Sequence, residues 1–270
     1  MSTELLDLAR TTARAAGDLL EDFARRRREG ADLGVATKSS ATDPVSEADR
    51  AAERLIADAL LTARPDDGLL GEEGQASRGG TSGLRWVVDP LDGTVNFLYD
   101  RADWCVSIAA EDDDGAVVGV VHQPRTGETF VAERGAGAHL ETADGRHELH
   151  VTQVDDLAKA LVATGFAYDA VVRADQGRDV ADLVGRVRDV RRCGSAALDL
   201  AGTAAGRSDA YLEFAVNPWD WAAGALLVTE AGGTLSQVEA HLGGRDTPGI
   251  VAGGRVAHDA LRAWLTAIGR

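Results

Sequence analysis

Apolar positions recur at spacings of three and four through the first part of the chain. Over residues 4–28 they form one stripe, which predicts an amphipathic helix. A second helix is predicted to begin at Ser46 and to end before Pro65, because Asp49 stands three residues after Ser46 as the short-armed partner of a capping box. We therefore expect the chain to open with a pair of helices that each bury one face.

After residue 68 the apolar residues occur in short runs that are separated by turn-forming segments. This spacing predicts a meandering, mostly antiparallel sheet. The runs are 69–70, 86–88, 104–110, 117–121 and 129–132.

From about residue 155 the pattern alternates between strand and helix, which is typical of a layered α/β arrangement. No linker rich in Pro, Gly or Ser precedes this part. We therefore expect a single domain over residues 1–270 with a shared core, made of a helical hairpin plus antiparallel sheet subdomain (1–153) and an α/β subdomain (154–270). The predicted strands are 160–163, 190–193, 210–214, 234–238 and 250–252, and the predicted helices are 179–188, 196–205, 219–230 and 257–268.

Composition narrows the classes of function. The 270 residues are 44% hydrophobic and 27% charged, which excludes a disordered or fibrous chain. The 28 Lys and Arg residues against 44 Asp and Glu residues give a net charge of −16, which disfavours nucleic acid or a membrane surface as a partner. With only Cys105 and Cys193, no long apolar stretch and no signal-peptide pattern, we expect a cytoplasmic protein.

Three acidic motifs carry the candidate chemistry. In Gly71-Glu72-Glu73-Gly74 two acids follow a short apolar run, a pattern that fits either a solvated turn or a site for a hard cation. In the segment 86–97 a buried strand delivers Asp89, and Asp92 returns to the same strand end through a tight turn at Pro90. The alternative for this segment is an ordinary Asp-Pro and Asp-Gly turn without a ligand.

The third motif places Asp220 at the opening of an apolar helix, where its carboxylate either caps the helix or binds a ligand. Together with Glu72, Asp89 and Asp92 it supplies hard oxygen donors, and no His or Cys accompanies them. Such donors favour Mg²⁺, with Mn²⁺ as a substitute, over Zn²⁺. Beside a turn whose N–H groups suit an anion, at Gly93, they predict a two-metal site for phosphoryl transfer to water.

In their order and spacing, these motifs resemble the inositol monophosphatase family of Mg²⁺-dependent, lithium-sensitive phosphatases. The residues that carry the likeness are 71–73, 86–97, 219–224 and 230–233, and it extends over essentially the whole chain. The resemblance implies a layered αβαβα sandwich of the inositol monophosphatase and fructose-1,6-bisphosphatase type. It also implies a homodimer.

The resemblance further implies a role for each matching residue. Glu72, Asp89 and the Leu91 carbonyl would bind one ion, and Asp89, Asp92 and Asp220 a second, with two or three ions in all. The catalytic residues would be Glu72, Asp92 and Thr94, with Glu72 and Thr94 activating the attacking water. The phosphate would be held by Gly93 and Thr94, and the alcohol would contact Gly194, Ser195, Ala196, Glu213 and Asp220.

Two residues in the first part of the chain each have a functional and a structural interpretation. Lys38, in Thr37-Lys38-Ser39-Ser40, matches the mobile loop of the family, but it also fits a solvated lysine. Asp49 matches an acid of the outer metal shell, but it also fits a helix cap.

The implied activity is hydrolysis of a small polyol or sugar phosphate, with inositol 1-phosphate as the first candidate. Histidinol-phosphatase, fructose-1,6-bisphosphatase and 3′-phosphoadenosine 5′-phosphate phosphatase activities remain alternatives, and so does a regulatory binding protein on the same fold. The sequence departs from the family pattern at Asn217-Pro218 and at Trp221, which we expect near the leaving-group side of the site.

Overall fold

The fold begins with helices α1 and α2, which pack on each other. A computed structural model describes residues 2–38, 44–74 and 77–270. The capping box predicted for α2 is confirmed, since the Ser46 hydroxyl accepts the Ala48 N–H and Asp49 accepts the Ser46 N–H at 2.8 Å. The first elements are α1 (Ser2–Arg28), β1 (Ala36–Thr37), β2 (Pro44–Val45) and α2 (Glu47–Ala63).

Among the described residues, seven strands form a sheet in the order β3-β4-β5-β6-β7-β8-β9. All neighbours are antiparallel except β3 and β4, so the predicted meander is confirmed. The sequence analysis did not identify β8 and β9, because β8 is mostly half-buried, β9 is exposed, and neither gives an apolar run. The elements are β3 (Gly68–Gly71), β4 (Arg85–Asp92), α3 (Thr94–Leu98), β5 (Cys105–Asp112), β6 (Gly115–Gln123), β7 (Glu128–Glu133), β8 (Gly137–Thr142) and β9 (Gly145–Glu148).

A second sheet in the described part of the chain has five strands, in the order β11-β10-β12-β14-β13. Strand β10 is parallel to β11 and β12, whereas β14 is antiparallel to both of its neighbours. After a short 3₁₀ turn (Leu157–Lys159), the elements are β10 (Leu161–Thr164), α4 (Ala170–Leu183), β11 (Asp189–Arg191), α5 (Ala196–Ala204), β12 (Ala210–Phe214), α6 (Pro218–Glu230), β13 (Thr234–Leu242), β14 (Arg245–Gly253) and α7 (Arg255–Ala267).

One prediction for the second half is wrong in detail. Helix α4 begins nine residues before the predicted start at residue 179, because the Asp169 side chain accepts the N–H groups of Val171 and Val172 and starts the helix there. The two consecutive strands predicted at 234–238 and 250–252 are confirmed, and as β13 and β14 they form a hairpin directly after α6.

The two sheets separate three apolar clusters of the described residues, which confirms the layered αβαβα arrangement. The first cluster joins α1 and α2 to one face of the first sheet. The second lies between the sheets and contains α5 and α6. The third joins α4 and α7 to the outer face of the second sheet. Because side chains alternate along a strand, Trp86 of β4 belongs to the first cluster and Val87 to the second.

Cys105 and Cys193 are free thiols. No helix among the described residues has the length and apolar character needed to cross a membrane.

The contact between β6 and α6 gives a stability prediction. A Cβ on Gly119 would lie 2.8 Å from the Ala223 carbonyl oxygen, so Gly119→Ala is expected to lower the free energy of unfolding by about 1–3 kcal/mol through overpacking. Gly177→Ala is the control, since Gly177 lies inside α4 and a Cβ added there would have no atom within 4 Å, and it should stabilise by about 0.5–1 kcal/mol. Urea denaturation followed by circular dichroism measures the free energy of unfolding of both variants. Equal values for the two variants would contradict the close contact between β6 and α6.

Candidate active site

A cavity opens where β3, β4, α5 and α6 bring their ends together beside β12. It is lined by most of the residues predicted from the sequence, and Asp49 and Ser195 lie directly behind it. The predicted residues that line it are Lys38, Glu72, Asp89, Leu91, Asp92, Gly93, Thr94, Gly194, Ala196, Glu213 and Asp220.

Strand β4 presents both of its aspartates to the cavity because it contains a bulge. Between Asp89 and Asp92 it has one residue more than the paired segment of β5. Pro90 lies in this bulge, where its missing N–H costs no ladder hydrogen bond. The Asp89 carboxylate accepts the Leu91 N–H at 3.0 Å, which fixes its orientation.

Gly93 connects β4 to α3 in a conformation that favours glycine. Its φ is 97°, and a Cβ there would lie 2.8 Å from the Asp103 carbonyl oxygen. The following Thr94 hydroxyl lies 3.0 Å from Asp49 Oδ1 and 3.1 Å from the Leu91 carbonyl oxygen. Asp49 is fully buried, so it caps α2 and holds Thr94 at the same time.

Glu72 follows β3 and is paired with a cation, and a buried acid of α2 holds the neighbouring Glu73. Lys38 Nζ lies 2.9 Å from Glu72 Oε1 and 2.5 Å from Glu73 Oε1. Glu53 of α2 accepts the Glu73 N–H at 2.7 Å, and Gly71 leaves room for its carboxylate. The sequence analysis missed Glu53. The pattern that could have identified it is an acid one helical turn after Asp49 on the buried face of α2. Ser39 and Ser40 of the predicted mobile loop lie outside the described residues.

Asp92 also anchors the start of α5. Its Oδ2 accepts the Ser195 hydroxyl and the Ala197 N–H, each at 2.7 Å. Ser195 is only 1% exposed, so its side chain positions Asp92, while Gly194 and Ala196 on either side of it line the cavity.

The remaining acids lie at the start of α6 and on β12. Asp220 accepts the Asn217 N–H at 2.6 Å in a capping box, as one interpretation of the sequence foresaw. Glu213 accepts the Tyr211 hydroxyl at 3.0 Å. The prediction for Trp221 is wrong, because this residue does not line the cavity and lines a separate depression beside Arg85 instead.

The surroundings of the acids in the cavity disfavour their charged forms. Desolvation raises the pKa of Glu72 to about 7, of Asp92 to about 6 and of Glu213 to about 8. Desolvation and then repulsion from neighbouring carboxylates raise the pKa values of Asp89 and Asp220 well above the ordinary range. These side chains therefore need positive charge nearby in order to be ionised together.

The chemistry of these donor groups fits a hard divalent cation. Every predicted side-chain ligand is a carboxylate, and Lys38 already supplies a cation at Glu72. Among the described residues, no three His, Cys, Asp or Glu side chains already stand in the arrangement of a complete ligand set. The cavity thus gathers the donors without arranging them as a complete ligand set.

Comparison with known proteins assigns the family. The model of the inositol monophosphatase family matches residues 1–268. The chain belongs to the inositol monophosphatase family. The inositol-1-monophosphatase SuhB of Mycobacterium tuberculosis is 42% identical over 259 residues, covering 94% of this chain and 89% of that protein. A Nus factor SuhB of Pseudomonas aeruginosa is 40% identical over 262 residues, covering 95% and 94%.

The fold agrees with this family assignment. A solved structure of Mycobacterium tuberculosis SuhB superposes with a TM-score of 0.82 at 39% identity, covering 99% of this chain and 97% of that one. The predictions of the inositol monophosphatase family, of its fold and of a phosphoric monoester hydrolase are confirmed.

The raised pKa values give a prediction about pH and stability. A folded-state pKa above the unfolded value stabilises the fold at low pH, and that stabilisation is lost as pH rises through the folded pKa values of about 6 for Asp92 and 7 for Glu72. Without divalent ions, Asp220→Asn should therefore raise the melting temperature at pH 8 by roughly 2–6 °C, corresponding to about 1–2 kcal/mol. The rise in melting temperature should be smaller at pH 5, where these acids are largely protonated in the folded wild type.

The control for this prediction is Asp113→Asn, which removes an exposed acid of the β5–β6 turn. Mg²⁺ should raise the melting temperature of the wild type more than that of Asp220→Asn. The difference between their melting temperatures at pH 8 should therefore become smaller. Differential scanning calorimetry measures these melting temperatures. If Asp220→Asn raised the melting temperature equally at pH 8 and pH 5, the result would contradict repulsion between the ionised carboxylates.

Proposed function

We propose that this chain is a Mg²⁺-dependent phosphomonoesterase for the phosphate ester of a small polyol or sugar, with inositol 1-phosphate as the first candidate substrate. The observation that carries the proposal is the meeting of Glu72, Asp89, Asp92 and Asp220 at one cavity with raised pKa values. The relatives named inositol-1-monophosphatase support the choice of substrate.

In this proposal the carboxylates share the metal ions. Glu72, Asp89 and the Leu91 carbonyl would hold one ion, and Asp89 would share the second with Asp92 and Asp220. When bound, Mg²⁺, or Mn²⁺ in its place, supplies positive charge that eases ionisation of the attacking water and stabilises the departing oxygen.

The residues of the chain orient the reaction. Glu72 would take the proton of the attacking water, and the Thr94 hydroxyl oxygen would accept a hydrogen bond that directs this water at phosphorus, while the N–H groups of Gly93 and Thr94 hold the phosphate. The Thr94 hydroxyl keeps its direction because buried Asp49 lies 3.0 Å away. Lys38, beside both Glu72 and Glu73, favours the ionised form of Glu72 and so opposes part of the desolvation that raises its pKa.

The alcohol part of the substrate lies toward β12 and the start of α5. Glu213 contacts its hydroxyl groups, and Gly194 and Ala196 bring backbone close to it. Asp220 would orient a solvent molecule whose proton the departing alkoxide takes up. Gly165 faces the Glu213 carboxylate, since a Cβ there would lie within 2.2 Å of both carboxylate oxygens.

Two other interpretations of the site remain as alternatives. Fructose-1,6-bisphosphatase, histidinol-phosphatase and 3′-phosphoadenosine 5′-phosphate phosphatase activities would use the same carboxylates. The relative named Nus factor SuhB favours, as the second candidate, a regulatory binding protein on the same fold. From the family likeness we also propose a homodimer, lithium inhibition and a cytoplasmic location.

The role of Asp92 is tested by Asp92→Asn. The amide keeps an oxygen that accepts the Ala197 N–H but removes the negative charge, so turnover should fall at least about a hundredfold while the fold is retained. Initial rates at saturating Mg²⁺ measure the loss, with Asp113→Asn as the control that removes an acid elsewhere. Near-normal turnover of Asp92→Asn would contradict the assignment.

The substrate class is tested by phosphate release from four esters with and without Mg²⁺. We expect kcat/KM to be highest for inositol 1-phosphate, compared with fructose 1,6-bisphosphate, histidinol phosphate and 3′-phosphoadenosine 5′-phosphate. Ion binding without release from any of the four would favour the regulatory binding protein.

A further inference from the structure

Tyr211 holds one oxygen of the carboxylate that we assign to the alcohol part of the substrate. Its hydroxyl donates to Glu213 Oε2 at 3.0 Å. The two residues lie two positions apart on β12, so their side chains share one face of the strand. Tyr211 is 0% exposed and does not line the cavity, whereas Glu213 does. Tyr211 therefore acts on a bound alcohol through Glu213 and not by contact.

The second oxygen of Glu213, Oε1, is left for a ligand. Across residues 2–38, 44–74 and 77–270, no other group donates a hydrogen bond to this carboxylate, and no cation forms an ion pair with it. A carboxylate with one oxygen held and the other open presents one acceptor in a fixed direction. Glu213 presents it to the same cavity that Asp92 and Asp220 line.

The backbone at Gly165 confines the same carboxylate. A Cβ at this position would lie within 2.2 Å of both Glu213 oxygens, so the carboxylate packs directly on the backbone. The preceding Thr164 pairs with Leu212 in the sheet, and its hydroxyl donates to the Leu212 carbonyl oxygen at 2.6 Å. These contacts fix the end of β10 against β12. The Glu213 carboxylate is therefore confined by the Gly165 backbone and oriented by the Tyr211 hydroxyl.

The hydrogen bond from Tyr211 also affects the charge of Glu213. Desolvation raises the pKa of Glu213 to about 8, and among the causes that lower this pKa the hydrogen bond from Tyr211 is the largest. Burial raises the pKa of Tyr211 well above its ordinary value, so the hydroxyl keeps the proton that it donates. Tyr211 therefore favours the form of Glu213 that accepts hydrogen bonds.

We propose that Tyr211 is the positioning residue of the alcohol subsite: its hydroxyl occupies Glu213 Oε2 and thereby directs Oε1 at a hydroxyl group of the substrate. An ionised carboxylate accepts hydrogen bonds and donates none, so the subsite selects an alcohol that carries a donor. A hydrogen bond to a charged group also stabilises a complex more than one between neutral groups. This inference rests on the proposed phosphatase function and adds a residue that sets its specificity for the alcohol.

The test is Tyr211→Phe, which removes one oxygen and keeps the buried ring. With Mg²⁺ present, its KM for inositol 1-phosphate should rise about five- to twentyfold, with a smaller change in kcat, because Glu213 Oε1 loses its fixed direction. Cyclohexyl phosphate has the same six-membered ring without the hydroxyl groups. Its inhibition constant against inositol 1-phosphate should therefore stay within about twofold of the wild-type value. An equal rise in the KM and in the inhibition constant would show that Tyr211 supports the cavity as a whole and would overturn the inference, and so would an unchanged KM.

Two further variants show whether Tyr211 acts through Glu213. Glu213→Ala removes the carboxylate, so adding Tyr211→Phe to it should raise the KM for inositol 1-phosphate no further. Effects of the two substitutions that multiply fully would contradict the inference. Tyr99→Phe is the matched control, because it removes the same hydroxyl from a side chain that is 79% exposed and does not line the cavity. It should keep the wild-type KM.

Failure of the proposed function has a different signature. If the wild type releases no phosphate from inositol 1-phosphate, the phosphatase proposal fails, and isothermal titration calorimetry with inositol 1-phosphate and Mg²⁺ then tests Tyr211. Weaker binding in Tyr211→Phe than in the wild type, with the binding of cyclohexyl phosphate unchanged, supports the inference. Equal binding of inositol 1-phosphate by the two proteins, or no binding by the wild type, overturns it.

Discussion

The mutual repulsion of carboxylates in one cavity is the constraint on which the rest of the site depends. Glu72, Asp89, Asp92 and Asp220 come from three separate parts of the chain and would not remain together as anions without cations between them. Folding brings them together at a cost in stability that a divalent ion, bound as we propose, would offset. Such a cost is common where a site is built for a ligand rather than for the apoprotein.

Backbone N–H groups hold these acids in place. One oxygen of each aspartate accepts an N–H at a bulge or a helix start: Leu91 for Asp89, Ala197 for Asp92 and Asn217 for Asp220. The N-terminal ends of α5 and α6 favour negative charge, so they stabilise the carboxylates that repel one another. The helix starts thus orient the acids and also offset part of their repulsion.

Much of this was predictable from local pattern, because a helix stripe, a capping box and an Asp-Pro-Leu-Asp-Gly strand end are encoded within a few residues. What escaped prediction depends on contacts between distant segments. Glu53 gains its role from the Glu73 N–H, and Ser195 gains its role from Asp92, more than a hundred residues away. Strands β8 and β9 carry too few buried residues to show the alternation by which a strand is predicted from sequence.

The central claim is that these carboxylates jointly bind divalent ions. Titration with Mn²⁺ under electron paramagnetic resonance counts the bound ions directly. The claim predicts at least two ions per wild-type chain, the same number in Asp113→Asn, and the loss of at least one in Asp89→Asn, since Asp89 is the carboxylate assigned to both ions. Full occupancy in Asp89→Asn, or no binding by the wild type at millimolar Mn²⁺, would contradict it.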